Sequence, residues 1–95
     1  MKIYISGAIT GTDDYVTRFG KAEARLRNQG FEVINPAEVN GRLPKSTTYE
    51  QYMEMSMLML GMCDSIYMLK GWESSKGSNR EYGYAVGKDL SIIFE

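Results

Sequence analysis

The chain has 95 residues, 43% of them hydrophobic and 24% charged, with 11 basic and 12 acidic side chains that leave a net charge of −1. This length predicts a single domain over residues 1–95, and the balanced charge argues against nucleic-acid binding, which needs a basic face. The sequence contains no histidine, so histidine-based catalysis and histidine metal sites are excluded.

Two further features bear on where the protein works. The one cysteine, Cys63, cannot form an internal disulfide, and we therefore expect a cytoplasmic protein. The N-terminal apolar run is too short for a signal peptide. No stretch approaches the roughly 20 apolar residues of a membrane span, so no membrane partner is expected.

The first elements of the chain are a strand, a turn and a helix. The apolar, β-favouring run Ile3-Tyr4-Ile5 predicts the strand, and a glycine-bracketed turn follows over residues 7–12. Apolar residues then recur at steps of three and four, which predicts an amphipathic helix over residues 13–29. Thr12 or Asp13 is its expected N-cap.

The middle of the chain predicts a strand, a loop and a second helix. Residues 31–34 form the strand, and the polar stretch 37–48 is interpreted as an irregular loop. Residues 49–62 contain alternating methionines but few β-branched side chains, which favours a helix that is apolar on more than one side. Core filling is the favoured role of these methionines, and a subunit contact is the alternative.

The last third predicts a strand over residues 65–69, a loop over 72–77, a helix over 79–88 and a strand over 91–94. Alternating strands and helices predict an α/β fold, a four-stranded parallel sheet in a flavodoxin- or Rossmann-like three-layer α/β/α arrangement. With strand order 2-1-3-4, a ligand crevice is expected between the first and third strands.

Two loops would face each other across that crevice. The loop Gly7-Ala8-Ile9-Thr10-Gly11 could hold an anion with its backbone amides, although a tight turn explains it equally well. After the third strand, Trp72 could either stack on a base or cover the sheet edge.

Ser78 and Glu81 have the spacing of a capping box, which gives Glu81 a structural role at the start of a helix. The functional alternative is a carboxylate that points into the crevice and attacks an anomeric carbon. Tyr4 is either a core residue or a side chain that orients this carboxylate. Asp64, at the amino end of the third strand, is expected to be structural.

Three segments together resemble the nucleoside 2-deoxyribosyltransferase superfamily, its deoxyribonucleoside 5′-monophosphate N-glycosidase relatives and, more closely, short phage- and prophage-type members. They are Ile3-Tyr4-Ile5-Ser6-Gly7-Ala8-Ile9-Thr10-Gly11, Cys63-Asp64-Ser65-Ile66-Tyr67-Met68-Leu69 and Gly77-Ser78-Asn79-Arg80-Glu81-Tyr82-Gly83-Tyr84-Ala85.

The resemblance implies that Glu81 is a nucleophile positioned by Tyr4, acting on a small nucleoside or nucleotide without metal or cofactor. It implies that Ser75 binds a 5′-phosphate where the transferases carry an aspartate, which favours hydrolysis over base exchange. Gly77, two residues further on, is also expected to bind the substrate. Two residues depart from the family's pattern: Ser56 replaces a second carboxylate, and Thr10 replaces an arginine.

Because of Ser56, a non-catalytic nucleotide-binding module is the alternative function. A structural subunit that uses the methionine-rich helix is a third possibility. Small size and that helix also predict a homodimer or a higher homo-oligomer.

Overall fold

The computed structural model describes residues 1–95, and the chain forms four strands: β1 (Lys2–Ser6), β2 (Glu32–Ile34), β3 (Ser65–Met68) and β4 (Ser91–Phe94). All pairings are parallel, and the order β2-β1-β3-β4 confirms the predicted topology. The helices are α1 (Tyr15–Asn28), α2 (Pro36–Asn40), α3 (Tyr49–Gly61) and α4 (Lys76–Gly87). A single 3-10 turn (Trp72–Ser74) precedes α4.

The alternation of side chains along β1 divides the core into two layers. Ile3 and Ile5 are fully buried on one face, where they pack against the apolar stripe of α1 that contains Phe19. Tyr4 is fully buried on the other face, with Leu60 of α3 and other apolar side chains of β3 and α4. Because successive residues of a strand point to opposite faces, the pattern of β1 places helices on both sides of the sheet.

The start of α1 differs from the prediction. The helix begins at Tyr15, and its N-cap residue, Asp14, makes no side-chain capping hydrogen bond. The prediction of Thr12 or Asp13 as the cap is therefore wrong. The Thr12 hydroxyl instead donates to the carbonyl oxygen of Ile9, at 3.0 Å, and closes the preceding turn. The C-terminal end of α1 agrees with the helix predicted to residue 29, since Gly30 adopts a φ of 93° just beyond the helix.

A short helix, α2, occupies part of the stretch that was interpreted as an irregular loop. Asn35 is its N-cap, and its side-chain oxygen accepts a hydrogen bond from the Ala37 amide at 3.0 Å. Pro36 occupies the first helical position, where its missing N–H has no cost and its fixed φ suits the helix. The Asn-Pro pair thus starts a helix as well as ending β2.

Helix α3 matches the predicted helix over residues 49–62, and Thr48 and Gln51 form a complete capping box at its start. Its apolar side chains lie on several sides. Met53 is 5% exposed, whereas Leu58 is 74% and Met62 is 61% exposed. No helix of the protein is long and apolar enough to cross a membrane.

Helix α4 begins three residues earlier than predicted, which changes the position of Glu81. The N-cap is Ser75, whose hydroxyl accepts a hydrogen bond from the Ser78 amide at 3.2 Å. The predicted capping box of Ser78 and Glu81 is therefore wrong. Ser78 lies inside the helix, and Glu81 lies in its second turn, too far along to cap the helix start.

Gly7 directly follows β1 and lies against the side chain of Leu69, and a Cβ atom at position 7 would lie 2.8 Å from the Leu69 Cδ1 atom. We expect Gly7→Ala to lower the free energy of unfolding by about 1–3 kcal/mol, the usual cost of overpacking a core. Urea denaturation measures this change. Gly20→Ala is the control, because a Cβ there meets nothing within 4 Å and α1 should gain about 0.5–1 kcal/mol. A loss below about 0.5 kcal/mol for Gly7→Ala would show that Leu69 can move aside.

Candidate active site

A cavity of about 230 Å³ lies where the segments after β1, β2 and β3 meet the start of α3 and α4. It is at the edge of a parallel sheet where ligands of α/β proteins usually bind. Its walls consist of Tyr4, Ile5, Gly7, Ile9, Thr10, Tyr15, Phe19, Pro36, Asn40, Tyr49, Tyr52, Met53, Ser56, Ser75, Gly77, Ser78 and Glu81.

The carboxylate of Glu81 is the central charged group of this cavity. Tyr4 donates its hydroxyl to Glu81 Oε2 at 2.5 Å, and Ser6 donates its hydroxyl to Glu81 Oε1 at 2.6 Å. All three side chains are buried, and Glu81 is 6% exposed. Tyr4 and Ser6 are two residues apart on β1, so both hydroxyls point to the same face of the sheet.

Burial raises the pKa of the Glu81 carboxyl, because the charged form loses its hydration. Contacts with the hydroxyls of Ser6, Tyr4 and Ser56 oppose this rise in pKa by stabilising the carboxylate. Burial and the adjacent carboxylate raise the pKa of Tyr4 well above 10.0, so its phenol stays protonated and continues to donate. The arrangement provides an oriented carboxylate that can act as a nucleophile or as a base.

The N-terminus of α4 forms another part of the cavity wall. The first amides of a helix have no acceptor within it, and since the Ser78 amide donates to the Ser75 hydroxyl, only those of residues 76 and 77 are free. Ser75 and Gly77 line the cavity. Lys76, between them, is exposed, with its Nζ atom 5.8 Å from the centre of the Tyr49 ring. Free amides, a helix dipole and a lysine together favour an anion at this edge.

The structure brings together most, but not all, of the residues predicted from the sequence. Tyr4, Glu81 and five of the predicted substrate-binding residues share the cavity, the five being Gly7, Ile9, Thr10, Ser75 and Gly77. Ala8 and Gly11 do not line it. The Ala8 carbonyl accepts a hydrogen bond from Arg18 at 2.8 Å. Since α1 begins only at Tyr15, the loop lacks the direct helix N-terminus that the anion-binding prediction assumed.

Trp72 lies outside the cavity. Its ring stacks on Tyr82 with a centroid distance of 4.9 Å, and Phe94 of β4 lies 6.2 Å away. This placement favours the alternative that Trp72 covers the sheet edge over stacking on a base. Asp64 is also away from the cavity, where its Oδ1 atom accepts the Lys2 amide at 3.0 Å.

Other polar residues at or beside the cavity are not among the site residues predicted from the sequence, although Ser56 is noted there as a departure from the family's pattern. Ser6 could have been found, because it shares the strand face of Tyr4. Asn40 lies on α2, which was taken for a loop; its side-chain oxygen is buried without a hydrogen-bond partner, and so is the hydroxyl of Ser78. Ser56 lies against Glu81 and Tyr4, where its hydroxyl lowers the pKa of both.

Comparison with known proteins gives a family and a fold. The model of a family described as a domain of unknown function (DUF4406) matches residues 1–94. Among solved structures, the chain is similar to a 2-deoxyribosyltransferase from Bacillus psychrosaccharolyticus, with a TM-score of 0.80 and 17% sequence identity over 99% of this chain and 71% of that one. No curated protein matches the sequence. At this identity the likeness establishes a shared fold.

The raised pKa of Glu81 predicts a pH-dependent stability. The native state holds this proton more tightly than the unfolded state, so the contribution is fully present below the ordinary pKa of 4.5 and is lost as the pH rises through the native value. Glu81→Gln removes the titration. We expect the unfolding free energy of the wild type, relative to this variant, to fall as the pH rises above 4.5.

Urea denaturation at several pH values measures that difference. Glu54→Gln, on the exposed side of α3, is the control for the loss of one negative charge. A difference between wild type and Glu81→Gln that rises with pH would contradict the direction of the shift.

Proposed function

Since the chain belongs to the DUF4406 family and has the fold of a 2-deoxyribosyltransferase, we propose that it cleaves the N-glycosidic bond of a nucleoside or of its 5′-monophosphate. The observation that carries the proposal is the buried carboxylate of Glu81, which lines the cavity and is held by two hydroxyls. A buried, oriented carboxylate in a cleft is the arrangement that a glycosyl-transferring nucleophile requires.

The proposed reaction has two steps. A Glu81 oxygen attacks the anomeric carbon as the bond to the base breaks, and the bonding electron pair leaves with the base through an oxocarbenium-like transition state. Water then attacks the glycosyl–enzyme ester and frees both the sugar and Glu81. A second base in place of water would give transfer, and we propose hydrolysis as the main outcome.

Tyr4 and Ser6 are proposed to position the nucleophile. The two carboxylate oxygens have about four lone pairs in all, so the hydroxyls of Tyr4, Ser6 and Ser56 leave at least one lone pair free for the sugar. Their hydrogen bonds also stabilise the ionised form that attack needs. The glycosyl–enzyme ester carries no charge on Glu81, so these hydrogen bonds stabilise the free carboxylate more than the ester. They therefore help the Glu81 carboxylate to depart from the sugar in the second step.

The α4 N-terminus supports a phosphate at the mouth of the cavity. The Ser75 hydroxyl, the first amides of the helix and the nearby Lys76 provide donors and positive charge for a dianion. The cavity volume of about 230 Å³ is below the roughly 300–1,000 Å³ of pockets for drug-sized ligands. Because the cavity is small, we propose that it takes a single nucleoside, with the phosphate of a nucleotide at its edge.

Incubation with nucleosides and 5′-monophosphates should release free base, measured by chromatography. Glu81→Ala should lower the rate at least about 100-fold, since the nucleophile is gone. Because the carboxyl must be ionised to attack and its pKa is raised, the rate should increase with pH above 4.5.

Glu81→Gln is the matched control, because it keeps the size of the side chain and removes the charge. Unchanged release in both variants would contradict the mechanism. Binding of a nucleotide in calorimetry without any release of base would instead favour the non-catalytic binding module.

Ser75 is both the N-cap of α4 and the proposed phosphate ligand, and Ser75→Asp separates the two roles. Aspartate is as good an N-cap as serine, but its charge repels a phosphate. We expect the KM for the 5′-monophosphate to rise at least about tenfold, a loss of about 1.4 kcal/mol of binding, while the KM for the nucleoside changes little. Initial rates with both substrates measure this, and equal effects on the two would contradict a phosphate contact at Ser75.

A further inference from the structure

The proton donors around the cavity differ widely in acidity. Glu81 is the one carboxyl group on its walls, and the other titratable side chains there are all tyrosines: Tyr4, Tyr15, Tyr49 and Tyr52. The remaining polar side chains on the walls are hydroxyls and the amide of Asn40. In model peptides the pKa of tyrosine is about 10, compared with about 4.3 for glutamic acid. A nucleophilic Glu81 therefore has no acidic partner in this cavity.

This distribution of donors matters for the leaving base. When the bond from the anomeric carbon to the base nitrogen breaks, the nitrogen takes the electron pair and becomes a strong base unless a proton arrives or the charge is already balanced. General acid catalysis of such a departure contributes about 10²–10⁴-fold to the rate. Without it, the rate depends on how well the base itself carries the electron pair.

We propose that the substrate class consists of nucleosides or nucleotides whose base is a good leaving group without protonation by the protein. Such bases either carry an electron-withdrawing substituent, and depart as a stabilised anion, or are N-alkylated and cationic, and depart neutral. In the first case the anion later takes its proton from water. This inference rests on the proposed N-glycosidic cleavage and narrows its substrates.

Ser56 is the hydroxyl residue of the cavity that lies beside Glu81 on the neighbouring helix. It lies on α3, lines the cavity and contacts both Glu81 and Tyr4. Its hydroxyl stabilises the Glu81 carboxylate, so it acts as a positioning residue and does not supply an acidic proton. An aspartate there would stand close to Glu81. Two neighbouring carboxyl groups cannot both ionise easily, and one of them keeps a proton at neutral pH.

The experiment compares substrates that differ in leaving ability but little in shape. The first pair is 2′-deoxyuridine and 5-fluoro-2′-deoxyuridine, and the second is guanosine and N7-methylguanosine, each tested also as the 5′-monophosphate. Single-turnover rates of base release are measured with wild type, Ser56→Asp and Ser56→Asn. Asparagine matches aspartate in size but has no acidic proton, so it controls for shape.

With the wild type, we expect N7-methylguanosine to release its base at least about 100-fold faster than guanosine, because general acid catalysis is worth at least about that factor in rate. The fluorinated substrate should likewise release its base faster than 2′-deoxyuridine does. Ser56→Asp should accelerate base release from guanosine and from 2′-deoxyuridine, and so lower the ratio of the two rates within each pair at least about tenfold. Ser56→Asn should leave both ratios unchanged. Circular dichroism verifies that both variants are folded, and if Ser56→Asp is unfolded, the wild-type ratios decide alone.

The possible outcomes separate this inference from the proposed function. Release of all bases at similar rates by the wild type would overturn the leaving-group inference and leave N-glycosidic cleavage intact. Absence of release from every substrate, including the activated ones, would overturn the proposed cleavage itself.

Discussion

Burying the charge of a carboxylate costs several kcal/mol unless donors replace the lost water, and Glu81 meets that condition through two hydroxyls of the first strand. Tyr4 and Ser6 reach its two oxygens at 2.5 and 2.6 Å. Because the donors belong to β1 and the acceptor to α4, these hydrogen bonds fix the position of α4 over the sheet and its rotation about its own axis. The same contact places Glu81 in the cavity wall, where burial raises the pKa of its carboxyl and the two hydroxyls partly oppose that rise.

The register of β1 is tied to the same contact. Tyr4 pairs with Ile34 of β2 on one side and with Ile66 of β3 on the other. A slip of one residue would turn every side chain of β1 to the opposite face. An isoleucine would then face Glu81, and the hydroxyls would enter the apolar layer under α1. The hydrophobic layers on both faces of the sheet therefore hold the site residues in place as well as stabilising the fold.

Much of the fold could be predicted from the sequence, because short apolar strands alternate with amphipathic helices and the parallel order follows from that alternation. The starts of the helices were harder to predict, because the segment before α4 contains several side chains that can cap a helix, and the N-cap is Ser75 and not Ser78. For the site, Glu81 was placed by family resemblance and not by local pattern. Asn40 was missed because its helix has only five residues, and Trp72 was ambiguous because an aromatic ring suits a ligand or a sheet edge equally well.

The residues that hold Glu81 precede it by 75 and 77 positions in the chain. Contacts of such long sequence separation form late in folding, because the chain entropy lost in closing the loop must be met first. During synthesis, β1 emerges early, and its two hydroxyls remain without the carboxylate of Glu81 until α4 has also left the ribosome. The carboxylate and its hydroxyls thus cannot meet in a nascent chain or in a fragment that lacks either end. The cavity that these residues line is therefore complete only after the chain has been made as far as α4.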